Sequence, residues 1–123
     1  MFTHFNKHSW LILACLGCLS IAVLSLVPGY LRPHTGAPGS IEHFAAYLLV
    51  SGAFALGLRS ERLILAVALA LMGAAGLFEL IQIDIPGRNP GLTGFLASSL
   101  GVWIGLVLAG SYRTLAKRLL TLR

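Results

Sequence analysis

The stretch "FELIQIDIPGRNPG", residues 78–91, decides how this chain is read. Its first half closes a long apolar run, yet it carries Glu79, Gln82 and Asp84. Its second half is a break: Pro86 cannot continue a helix, and Pro90 delays the next one. Arg88 follows directly on Pro86 and Gly87. A carboxylate, an amide and a guanidinium therefore collect where an apolar helix ends. What surrounds that end follows from the rest of the chain.

The 123 residues are 57% hydrophobic and 11% charged, with a mean hydropathy of +0.86. A soluble domain of this size has too much surface for so few polar residues, so the apolar excess must face a bilayer. The net charge of +5 does not imply nucleic acid. The basic residues sit in short segments between apolar runs, with no basic stripe and no aromatic interleaving. They read as orientation signals. Cys15 and Cys18 form a CxxC within the first apolar run. Redox chemistry needs a solvated thiolate, so the pair reads as two small apolar side chains.

Two apolar segments, residues 62–83 and 92–112, flank the break, and two more, 10–27 and 40–58, precede them. At 1.5 Å per residue, about 20 residues cover the roughly 30 Å of a hydrocarbon core. In lipid the backbone must satisfy itself, so each segment is expected to be a helix. The predicted class is all-α: a four-helix polytopic membrane bundle forming one domain over residues 1–123. The first run has a weakly basic start (Lys7, with His4 and His8). It is long, and "LSLVPGY", residues 24–30, offers no small-x-small cleavage site, so a retained helix is expected rather than a signal peptide.

"PGYLRPHTGAPG", residues 28–39, predicts an irregular loop, and "RSER", residues 59–62, a tight polar turn. In the tail, residues 113–123, Leu115, Leu119 and Leu122 recur at helical spacing among Arg113, Lys117 and Arg118. That pattern predicts a basic amphipathic helix on the membrane surface. Lys7, Arg59, Arg62, Arg113, Lys117, Arg118 and Arg123 fall on one side of the four spans, Arg32 and Arg88 on the other. The positive-inside rule then puts both termini in the cytoplasm and the two longer loops outside.

This topology brings polar residues to one depth. Glu79 and Gln82 lie near the outer end of the third helix, while Glu42 and His43 lie in the first turn of the second, with Tyr47 one turn deeper. A carboxylate in the outer leaflet is costly unless paired. Arg88 is the expected cation for Glu79, Glu42 or Asp84, folded back by the turn at Pro86 and Gly87. Each residue also has a plainer role: Glu42 as an acid at a helix start, His43 as an inter-helix hydrogen bond, Tyr47 as an interfacial aromatic, Arg88 as a solvated loop charge. Glu79, inside an apolar helix, is the hardest to explain that way. A metal site would need more clustered ligands, and no metal or cofactor is expected. In the fourth helix Ala97, Gly101 and Gly105 recur every four residues, with Ser98 beside them. Such a stripe admits another helix closely. Internal packing, with Gly73, Ala74 and Gly76 of the third helix opposite, is favoured over a homo-oligomer contact.

At these residues the sequence resembles the VanZ-like family of small bacterial membrane proteins. That family opens one helix with an acid, a lysine and His-Phe-x-x-Tyr. It continues with Glu-x-x-Gln, a loop proline and arginine, and Asp-x-x-x-Asn-x-x-Gly. Here His43, Phe44 and Tyr47 match the first stretch, and Glu79, Gln82, Pro86, Arg88 and Gly101 the second. Gly39 and Ser40 replace the acid and lysine; Gly94 and Ser98 replace the aspartate and asparagine. The resemblance implies a multi-pass protein of the bacterial cytoplasmic membrane with a role in the cell envelope. The favoured reading is non-enzymatic: an outward polar cluster of Glu42, His43, Tyr47, Glu79, Gln82 and Arg88 binds a lipid head group, a cell-wall precursor or a partner protein. The second is an enzyme on a lipid-linked substrate, with Glu79 or His43 as general base and no evident nucleophile. The third, a small transporter, lacks a midplane acid and an inverted repeat.

Overall fold

The computed structural model describes residues 6–122. His4 and Arg123, counted above among the terminal residues, lie outside the described residues. Four helices make up the chain: α1 (Lys7–Leu26), α2 (Gly39–Gly57), α3 (Glu61–Gln82) and α4 (Leu92–Thr121), with a 3-10 turn at Gly29–Leu31. All four are long and apolar enough to cross a membrane. The protein is thus an all-α four-helix bundle of candidate spans.

Local chemistry sets the ends. Ser60 caps α3, its hydroxyl accepting the Leu63 N–H at 3.4 Å, and Glu61 follows in the first turn, where the helix dipole favours an acid. At the other end of α3 the N–H groups of Ile83, Asp84 and Ile85 each donate three residues back. The helix so tightens before Pro86 stops it. Gly87 then takes a φ of 73°, a left-handed conformation that suits glycine. α4 differs most from expectation. It runs unbroken for 30 residues, about 45 Å, so the tail continues the fourth helix rather than forming a separate element.

The helices alternate in direction and are ordered α1–α2–α4–α3 around the bundle, and α2 also touches α3. At one end the 28–38 loop crosses the 83–91 loop: the Gly29 N–H donates to Pro86 O at 2.9 Å, and a side chain at Gly29 would overlap the Gly87 peptide. At the other end Arg113 donates to Ala55 O at 2.9 Å and Leu58 O at 3.3 Å, closing the C-terminus of α2.

Small residues dominate an interior that also holds Tyr47, Val50 and Leu71. Ala14, Ala53, Ala55, Ala68, Ala75 and Val102 are buried, whereas Ile12, Leu16, Leu49, Leu69, Leu77, Leu100 and Val107 are exposed. Small-in and large-out suits lipid, where bulky apolar chains need no burial and backbones associate through small residues. The α4 stripe is the main seam. A side chain at Gly101 would strike the Phe44 carbonyl, and one at Gly105 the Leu48 carbonyl and Ser51. The Ser51 hydroxyl, fully buried, donates across the seam to Val102 O at 3.0 Å. The stripe thus packs internally, but on α2. Of the α3 glycines expected opposite it, Gly73 has open space beside it, while Gly76 faces α4 at Phe95, outside the stripe.

Candidate functional site

The loop end of the bundle holds the polar residues, in groups different from those expected. Glu79, one turn before the end of α3, reaches the start of α4. Its Oε2 accepts the Gly91 N–H at 2.7 Å, and its Oε1 lies 3.6 Å from His43 Nδ1. Gly91 is the N-cap of α4, so the carboxylate meets an unsatisfied backbone donor at the positive end of a helix. Gly94 makes room for it: a Cβ there would lie 2.9 Å from the Glu79 carboxyl carbon. Ser98, fully buried, donates to Gly94 O at 2.9 Å, and its oxygen lies 3.4 Å from the same His43 Nδ1. The Ser98 proton is thereby committed, so the consistent assignment puts the histidine proton on Nδ1, shared between Glu79 and Ser98, and leaves Nε2 as the acceptor.

This group contains a serine, a histidine and a glutamate, but it is not a nucleophile relay. A relay needs the hydroxyl on one ring nitrogen and the acid on the other. Here both meet Nδ1, and the serine is sealed from any substrate.

Arg88 does not pair with Glu79. Its Nε donates to Val27 O at 3.1 Å and its Nη2 donates to Leu24 O, so it closes the C-terminus of α1. The crossing of the two loops at Gly29 and Pro86 carries the turn toward α1 instead of back onto α3. Burial lowers the Arg88 pKa first, and the nearby Arg32 guanidinium lowers it further; Glu79 opposes both. Gln82, only 4% exposed, also faces α1, its Nε2 donating to Ser25 O at 3.0 Å. Glu79 and Gln82 therefore diverge. Three positions on a helix leave about 60° between side chains, enough to aim them at different neighbours.

Glu42 also stands apart from Glu79. It forms an ion pair with Arg32, and its Oε1 accepts the Thr35 hydroxyl at 2.6 Å and the Thr35 N–H at 3.4 Å. The loop taken as irregular is thus fastened to the first turn of α2. Tyr47 is buried in the core with Val50 and Val102 rather than placed at an interface. Asp84 is exposed. Among the described residues no group of three or more His, Cys, Asp or Glu is placed to hold a metal ion.

A cavity of about 570 Å³ lies between α1 and α2 beneath this loop. Gly17, Ile21 and Leu24 of α1 and Ala46, Leu49 and Val50 of α2 line its length; Arg32, Thr35, Glu42, His43 and Arg88 line its loop end. Sequence reasoning missed the roles of Arg32 and Thr35. Arg32 was visible as one of only two cations on that side of the spans, but the loop's path over α2 was not. Comparison with family models, with curated proteins and with solved structures finds no match to this chain.

Proposed function

We propose that the protein is a VanZ-like, multi-pass protein of the bacterial cytoplasmic membrane. Both termini face the cytoplasm, and the loop end binds a head group, a cell-wall precursor or a partner protein without chemistry on it. The observation that carries this reading is convergence. Polar side chains from α2, α3 and both longer loops gather at one end of an otherwise apolar bundle, beside a cavity that opens there. An apolar bundle of small-residue seams needs no such group to hold together, and polar groups near lipid are costly without a use. The basic residues at the opposite end favour placing this end outside. The match to the family's Glu-x-x-Gln and His-Phe-x-x-Tyr patterns falls on residues that meet neighbours here. The missing acid at position 94 has its space filled by the Glu79 carboxylate.

The test is complementation of a deletion strain at matched protein levels, scored on envelope stress and cell-wall antibiotics. Glu79→Gln keeps size but removes charge, and His43→Gln keeps a polar group but removes the ring. Both variants are expected to insert and fold, yet to lose the phenotype that the wild-type gene restores. Full complementation by both would end the binding-site reading and leave Glu79 and His43 as helix-joining residues.

A further inference from the structure

We propose that the groove between α1 and α2 binds a phosphate-bearing membrane lipid, its phosphate held between Arg32 and Arg88 and one chain lying along the helices. This deepens the head-group reading above and rests on it.

Charge sets the head. The ionised groups lining the groove are Arg32, Arg88 and Glu42, all at its loop end. Two guanidiniums face one carboxylate, so a cation is left over. It is Arg88: among the described residues no carboxylate lies within ion-pair distance of it, and its two hydrogen bonds go to neutral carbonyls. Carbonyls orient a guanidinium but do not cancel its charge. Arg32 and Arg88 line the same end of one groove, and after burial it is the Arg32 charge that lowers the Arg88 pKa. An anion placed between them relieves that repulsion, and a phosphate matches the guanidinium fork with two acceptor oxygens.

Shape sets the tail. From Gly17 to Ser25 the groove follows about 12 Å of α1. Its length is apolar, and Leu24, Ile41 and Leu49 at its edges are exposed, so it opens sideways to lipid. Gly17 meets Val50 at the deep end, where the two helices touch. A charged head with an apolar slot beneath it suits an amphiphile. A free anion would use only the mouth, and a soluble peptide would not match a slot that opens to the bilayer.

The test uses the full chain in neutral maltoside micelles, with thermal unfolding followed at increasing ligand. The probes are dioleoyl phosphatidate, dioleoylglycerol, oleate and inorganic phosphate. Phosphatidate is expected to raise the unfolding temperature saturably, and the other three to leave it near its starting value. Arg32→Gln should weaken the phosphatidate response on the order of tenfold, the loss of one charge-assisted contact. Ala46→Trp, which fills the slot without touching the cations, should abolish it; each variant is read against its own unliganded temperature. The inference is overturned if dioleoylglycerol or oleate stabilises as well as phosphatidate, or if phosphate alone does so. It is also overturned if both variants respond like wild type. Should phosphatidate fail while Glu79→Gln and His43→Gln still lose complementation, the lipid assignment falls and the broader head-group reading stands.

Discussion

Glu79 shows how one acid is kept in an apolar helix. An ionised carboxylate near lipid is costly unless its oxygens are satisfied. Here one oxygen takes the Gly91 N–H at 2.7 Å and the other faces His43 at 3.6 Å. The arrangement depends on the missing side chain at Gly94, and that is testable. Gly94→Ala would put a Cβ 3.2 Å from Oε2 and closer still to Oε1. The carboxylate must then swing away and give up the Gly91 bond, for a loss of about 1–3 kcal/mol. In a Glu79→Ala background the same change should cost almost nothing, because the occupant is gone. Thermal unfolding of the four variants in micelles measures the coupling. Equal costs in both backgrounds would mean that Gly94 serves another purpose. The sequence revealed Glu79 itself, since an acid in an apolar run is conspicuous. It did not reveal where Arg88 points, because that follows from the crossing of Gly29 and Gly87, two loops distant in the chain.

Among the elements, α2 and α4 form the tightest pair. The small stripe on α4 was legible from spacing alone, but its partner was not. α2 and α3 both carry small residues, and in helices that are apolar all round no polar face marks the outside. What selects α2 is contact detail: Gly101 fits the Phe44 carbonyl, and Gly105 fits Leu48, Ser51 and Gly52. Gly105→Leu is therefore expected to wedge the pair apart, at a cost of about 1–3 kcal/mol or more. Gly110, five residues further on and with nothing within 4 Å of a Cβ, is the control. Gly110→Leu should leave the unfolding temperature nearly unchanged. If the two substitutions are equally harmful, the seam does not depend on the stripe. If Gly105→Leu changes oligomeric state without lowering monomer stability, the stripe joins copies of the chain instead.

At the scale of the whole molecule, the two ends differ in kind. The end formed by the loop crossing carries Arg32, Arg88, Glu42 and Glu79. The opposite end gathers Lys7, Arg59, Arg62 and Arg113, and the last turns of α4 add Lys117 and Arg118. About 45 Å of α4 exceeds the roughly 30 Å of a hydrocarbon core, so its basic last turns must emerge on that same side. A bilayer in which loops rich in Lys and Arg stay in the cytoplasm would hold the molecule one way only. The expected result can be read with single cysteines in a chain with Cys15 and Cys18 replaced by alanine. A membrane-impermeant maleimide added to intact cells should modify His34→Cys and Asn89→Cys, both exposed at the loop-crossing end. It should spare Ser60→Cys until the membrane is opened, although that position is equally exposed at the other end. Accessibility within the protein is thus matched, and the bilayer alone separates the sites. Labelling at 60 with silence at 34 and 89 would invert the molecule, turn Glu79 and His43 toward the cytoplasm, and remove the ground for an extracytoplasmic head-group site.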